Sequence, residues 1–198
     1  LRAFHSLLSA PTQNKPTEVF SVTFIKSQFV LLLLLIMAFF MIFTGLDDSV
    51  LQIDEGADTF VSTTILKSGV PMHSDGVNHT MLYADLFDGV FVYRTWIPYY
   101  LQSLSLYFLG TNTFAARLPF ALGGLFSVWG LYHLAIRLSQ PKSIAILAAT
   151  FLATCVPALL YFRTSRYIAL PILLTPITLI FYIKIFENQT DVKNKLKT

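Results

Sequence analysis

Arg163 and Arg166 stand three residues apart between two long apolar stretches, and Asp54 and Glu55 stand together ahead of an amphipathic one. A pair of guanidiniums at the mouth of a membrane cavity suits a lipid phosphate, because each presents a planar fork of donors. Three residues apart, they share one side if the backbone is helical. The plainer alternative is interfacial anchoring, with the side chains reaching up to lipid headgroups. Tyr167 beside them also fits an aromatic belt. Asp is a strong N-cap residue, so Asp54 has a structural reading as the cap of the helix that follows. Glu55 is then a first-turn acid favoured by the helix dipole. Arg94 suits a phosphate or a neighbouring acid, nearby Asp residues being the simpler partners. Arg117 opens an apolar stretch and serves topology or an ion pair. His73, Asp75, His79, Asp85 and Asp88 are metal-ligand types, but their spacing fits no strong ligand pattern. Scattered His and Asp in a loop read as solvated surface.

The elements that position these residues belong to a membrane. Of the 198 residues, 55% are hydrophobic, 15% aromatic and only 13% charged. A soluble domain carries about 25% charged residues. That deficit excludes a disordered chain and points to a bilayer. One Cys excludes a disulfide framework and a Cys-based zinc site. No Gly-rich phosphate loop, nucleophile elbow or basic patch for nucleic acid is present. Apolar stretches at 27–46, 118–136, 143–162 and 167–186, the last charge-free to residue 183, match the roughly 20 residues of a crossing. The stretch 97–109 is too short to span. If it does not cross, Lys67, Arg94, Arg117, Arg163 and Arg166 lie on one side and the other nine of the 14 basic residues on the N-terminal side. Positive charge concentrates in cytoplasmic loops, so four spans with both ends cytoplasmic are expected. Residues 1–26 and 187–198 then form cytoplasmic tails. Residues 47–117 form an external segment holding Asp47, Asp48, Asp54, Glu55, Asp58, Asp75, Asp85 and Asp88. Cys155 and His133 read as packing residues within spans, and Gly123-Gly124 as a close helix contact.

Within the external segment, Ala57, Phe60, Val61, Thr64 and Ile65 recur at helical spacing. Lys67, Gly69 and Pro71 give the stop. The apolar face of this helix is expected on the membrane surface. Residues 98–109 form a second short helix, with Tyr100, Leu101, Leu104 and Phe108 on one side and Gly110 as its stop. Residues 72–93 are polar and rich in turn formers, and Asn78-His79-Thr80 is a glycosylation sequon that matters in a eukaryotic secretory setting.

Four segments together resemble the C-type integral-membrane glycosyltransferases, in particular dolichyl-phosphate-mannose protein mannosyltransferase-like enzymes and the bacterial transferases that move aminoarabinose to lipid A. The first is Asp54-Glu55-Gly56-Ala57-Asp58-Thr59 closing on Ser68-Gly69-Val70-Pro71. The second is Arg94-Thr95-Trp96-Ile97-Pro98-Tyr99-Tyr100-Leu101-Gln102. The third is Phe108-Leu109-Gly110-Thr111-Asn112-Thr113-Phe114-Ala115-Ala116-Arg117-Leu118-Pro119. The last is Tyr161-Phe162-Arg163-Thr164-Ser165-Arg166-Tyr167. The resemblance implies an all-α polytopic bundle whose external loop bears two membrane-parallel helices. It implies transfer of a sugar, with inversion, from a polyprenyl-phosphate carrier to a hydroxyl acceptor on the outer face of the cytoplasmic membrane. Asp54 matches the family's catalytic aspartate, with Glu55 as its tuning or binding neighbour. Arg163, Arg166, Tyr167 and Arg94 become substrate-binding candidates. Some relatives use a divalent metal ion, so the resemblance allows one. Many carry an acid after the Arg-Tyr pair where this chain has Ile168.

Two other classes compete. A transporter or lipid flippase would want ionisable groups inside its spans or paired broken helices, and the four stretches are read as holding none. A non-catalytic scaffold would use the acidic external segment to bind a partner. The chain begins at Leu1 and ends in a polar run. It reads as the N-terminal part of a larger membrane protein, inactive by itself.

Overall fold

The computed structural model describes residues 19–80 and 89–195, with side chains for 28–80 and 89–187. Seven helices run through the described residues. They are α1 (Val19–Phe43), α2 (Ile53–Ser68), α3 (Ile97–Leu109), α4 (Thr113–Arg137), α5 (Lys142–Thr154), α6 (Val156–Phe162) and α7 (Ala169–Lys195). Two isolated antiparallel bridges, Met72 with Val90 and Ser74 with His79, tie the loop between α2 and α3. This is an all-α membrane architecture.

Local signals account for the helix ends. Gly69 stops α2 in the left-handed region at φ 78°, where a side chain would be strained. Pro98 falls in the first turn of α3, where a missing N–H costs nothing. Asn112 caps α4 by accepting the Ala115 N–H at 2.8 Å.

α4 is the hub and packs against α1, α3, α5, α6 and α7. One core joins Leu31, Leu34 and Ala38 of α1 to Val128 and Tyr132 of α4 and to Ala145, Ala149 and Ala153 of α5. The alanine stripe lets α5 approach closely. A second core joins Ile42 and Leu46 to Phe120, Ala121, Ala158, Phe162 and Ala169. Its tightest point is Gly124, where an added Cβ would lie 2.3 Å from Cγ of Phe162. Phe162 has no exposed surface into which it could retreat. At Gly123 the nearest atom would be 3.8 Å away. Gly124→Ala is therefore expected to destabilise the protein by about 1–3 kcal/mol, the usual range for overpacking. Gly123→Ala should have little effect. Thermal unfolding of the two variants in detergent checks the contrast.

Two helices are long and apolar enough to cross a membrane, Thr113–Arg137 and Ala169–Glu187. The stretch 143–162, expected as one span, is two helices, α5 and α6, bent by 65° and together long enough for a third. The break falls at Cys155, which is extended (φ −66°, ψ 112°). Pro157 accounts for it: in the first turn of α6 it lacks the N–H that would bond the carbonyl one turn back, and its ring crowds that carbonyl, so α5 cannot run on through it. The described apolar part of α1 is Gln28–Phe43, 16 residues.

α2 departs from its expected orientation. Val61, Thr64 and Ile65 are buried, but so are Glu55, Asp58 and Ser62. The buried face is mostly polar, with Thr64 among its polar groups, and packs on α3 rather than presenting an apolar stripe outward. Burial of those polar groups holds because each meets a partner. Gln102 of α3 is fully buried. It accepts from the Ser62 hydroxyl at 2.7 Å and donates to Thr59 Oγ1 at 2.9 Å and Ala116 O at 3.0 Å. α3 keeps the expected exposed apolar side, with Tyr100, Leu101, Leu104 and Phe108 uncovered.

Candidate functional site

Three carboxylates along the first half of α2 each meet an arginine from a different element. Asp54 pairs with Arg166 Nη1, from the α6–α7 loop. Glu55 pairs with Arg117 of α4, which donates from Nε at 3.0 Å and from Nη2 at 2.9 Å. Asp58 pairs with Arg94, whose Nη1 lies 2.6 Å from both carboxylate oxygens. Helical spacing explains the arrangement. Asp54 and Asp58 are four apart and share a side, while Glu55 is turned inward.

Glu55 and Arg117 form the buried anchor. Glu55 is 0% exposed. It also accepts the Gln52 N–H at 3.0 Å and the Ser165 N–H at 2.8 Å. Arg117 in turn donates to the carbonyls of Leu46, Ser49 and Val50. One ion pair thus ties together the end of α1, the start of α2, α4 and the α6–α7 loop. Burial by itself would push the Glu55 carboxyl up; the hydrogen bonds from Arg117, Gln52 and Ser165 outweigh it and hold the carboxyl below the ordinary value. A fully covered carboxylate with these partners offers no surface to a ligand.

Asp54 is the opposite case. Its side chain is 60% exposed, against 24% for Arg166. It is not the cap of α2, since Gln52 occupies that position. The reading of Asp54 as an N-cap fails because the helix begins one residue earlier, at Ile53. The hydrogen bond and charge of Arg166 keep the Asp54 carboxyl ionised below the usual range, and Arg94 adds to this.

Asp58 stood in the sequence as one acid among eight and within the first matched segment, with no role of its own. Burial pushes its carboxyl up, against the pull of Arg94 and of the Tyr99 hydroxyl, which donates to Oδ1 at 3.0 Å. The Arg94 guanidinium also lies over two rings, 5.3 Å from the Tyr167 centroid and 5.7 Å from that of Tyr93. Tyr99 and Gln102 were missed as well. The usable signal was their place in the second matched segment, three apart on one side of a short helix.

Of the expected site residues, Asp54, Arg166, Arg94 and Tyr167 therefore come together, with Glu55 beneath them. Arg163 takes another course. Its guanidinium donates to the carbonyls of Met41 at 2.8 Å, Ile42 at 3.4 Å and Gly45 at 3.2 Å, closing the C-terminal end of α1. The backbone between Arg163 and Arg166 is a turn rather than helix, so the two side chains do not share a side.

The His/Asp loop is built as a turn. Asp75 accepts the Val77 and Asn78 N–H groups at 3.0 and 2.7 Å, which lower its carboxyl to about 2. Among the described residues no three His, Cys, Asp or Glu side chains converge. Asp54 and Asp58 are each matched to a guanidinium, so this donor set does not fit a divalent ion. Asp85 and Asp88 lie outside the described residues.

No curated protein and no solved structure gives a significant match to the chain. Residues 94–194, slightly more than half of its length, match the family model described as dolichyl-phosphate-mannose-protein mannosyltransferase. That stretch includes Arg94, Tyr99, Arg117 and Arg166 and begins after the acids of α2. The basic half of the cluster lies within the match, and geometry joins the acidic half to it. The chain belongs to the dolichyl-phosphate-mannose-protein mannosyltransferase family, a family of membrane glycosyltransferases.

Proposed function

We propose that the chain carries the reaction centre of an inverting glycosyltransferase that takes a sugar from a polyprenyl-phosphate donor. The acceptor is a hydroxyl of a lipid, glycan or protein. The observation that carries this reading is the pairing of an exposed carboxylate, Asp54, with Arg166, with Arg94 in the same cluster. In a single displacement the acceptor oxygen bonds to the anomeric carbon, the bond from that carbon to the phosphate oxygen breaks, and polyprenyl phosphate departs. The hydroxyl proton goes to Asp54 as general base. Arg166 and Arg94 meet the negative charge that grows on the departing phosphate. Tyr167 backs Arg94. Glu55 positions rather than reacts, because nothing of it is exposed.

The Asp54–Arg166 pair gives an order of events. Arg166 weakens Asp54 as a base by favouring its ionised form. A donor phosphate that draws on Arg166 relieves that pull, so Asp54 becomes a stronger base once the donor is bound. The charge distribution supports a reaction on the non-cytoplasmic face of the inner (plasma) membrane, with α1, α4, the bent α5–α6 pair and α7 as spans.

Mass spectrometry of membrane lipids tests the proposal. Cells lacking the gene should accumulate one polyprenyl-phosphate-sugar that falls on complementation, and its mass identifies the sugar class. An unchanged lipid profile with donor present would overturn the reading.

A further inference from the structure

We propose that Asp58 is a positioning residue for the donor's phosphate, holding Arg94 by one nitrogen and leaving the rest of its guanidinium for the ligand. The inference rests on the transferase reading above. It starts from how little of Arg94 the protein uses. Both oxygens of Asp58 converge on Nη1 at 2.6 Å. Among the described residues its close hydrogen bonds run through Nη1 alone, with the Tyr99 hydroxyl also bearing on the guanidinium, although a guanidinium carries five N–H donors. Arg117 shows what a structural arginine looks like here: its three nitrogens donate to Glu55, Ser49 and three backbone carbonyls. Arg94 has one carboxylate tether among the described residues, Asp58, and an aromatic face, Tyr167, that restrains its plane.

Asp58 is itself held. Its side chain is 8% exposed. Tyr99, buried and packed edge-on against Phe91 with ring centroids 5.5 Å apart, gives it a hydroxyl. The chain of contacts Phe91, Tyr99, Asp58, Arg94, Tyr167 leads from a packed core to the ring beside Arg166. Arg166 is tethered in the same manner, by Nη1 to Asp54. The two tethers sit one helical turn apart on α2, about 6 Å of rise. Two arginines spaced by a turn and each held by one nitrogen form a two-sided cradle, and a phosphate with several acceptor oxygens can take donors from both. Burial favours a protonated Asp58, while Arg94 and Tyr99 favour the carboxylate. A phosphate that engages the free side of Arg94 leaves the Asp58 tether in place.

The test measures binding of a short-chain polyprenyl phosphate, and of the matching polyprenol, to the full-length protein in detergent. Asp58→Asn and Arg94→Gln should each weaken polyprenyl-phosphate binding by about 10- to 100-fold, the range for a hydrogen bond to a charged group. The double variant should bind no worse than Arg94→Gln, because Asp58 acts through Arg94. Polyprenol binding should not change. Tyr99→Phe, which keeps the ring, should give a smaller loss of the same kind and serves if Asp58→Asn does not fold. If Asp58→Asn weakens polyprenol equally, or weakens the Arg94→Gln protein further by its full factor, Asp58 is a packing residue and the proposal fails. If Arg94→Gln weakens phosphate binding and Asp58→Asn does not, positioning fails while the phosphate site stands. If Arg94→Gln has no effect, the phosphate role of Arg94 falls, and the role of Asp58 with it.

Discussion

Asp54→Asn in the full-length protein is expected to slow sugar transfer by about 10²- to 10⁴-fold, the usual contribution of a general base, while the protein stays folded. The reason for the second half is structural. Asp54 caps no helix, its side chain is mostly exposed, and its ion-pair partner among the described residues, Arg166, is partly exposed too. An exposed ion pair contributes little to stability. Rate and unfolding temperature are therefore predicted to part company in this variant. Transfer at wild-type rate by Asp54→Asn would remove the base assignment.

The pH profile gives an independent check. Arg166 lowers the Asp54 carboxyl, so the ionised base persists as pH falls through 3.8, its ordinary value. The acid limb of the rate should lie below that value. Arg166→Gln removes the largest cause of the shift and should move the acid limb upward. It should also raise the KM for donor. A limb that stays put in Arg166→Gln would show that another group is titrating.

The second large effect is on stability. Glu55→Ala is expected to cost about 3–5 kcal/mol, the range for removing one partner of a buried ion pair. Arg117, only 4% exposed, would be left as an uncompensated charge. The change also strips partners from the Gln52 and Ser165 N–H groups. Glu55→Gln keeps the shape but not the charge and should be nearly as costly. Replacing both Glu55 and Arg117 with apolar residues of similar size should recover part of the loss, since no unpaired charge remains. Unfolding temperature and folded yield in detergent report all three. A Glu55→Ala protein as stable as wild type would mean that water reaches Arg117 and the pair is not an anchor.

How much of this was legible beforehand varies by residue. The membrane class followed from composition, because few charges and long apolar runs leave a chain no other stable solvent. The ends of α2 and α3 followed from Gly69, Pro71, Pro98 and Gly110, which act through the backbone of their own few residues. Motif order pointed to the family, and the match over 94–194 bears that out.

The sequence by itself thus determined the membrane-embedded helical class, most helix boundaries and the residue types at the centre. Only the tertiary structure decided their division of labour. Asp54 and Glu55 are neighbours in the chain, yet one is exposed and the other fully buried, because a helix turns about 100° between them. Arg163 and Arg166 look equivalent, yet one closes α1 and the other meets Asp54, because a turn replaces the helix that would have aligned them. The partners of Glu55 and Asp54 lie 62 and 112 residues away. No local propensity encodes such pairs. Packing about α4 brings them together, and the low dielectric there makes each buried charge depend on its partner.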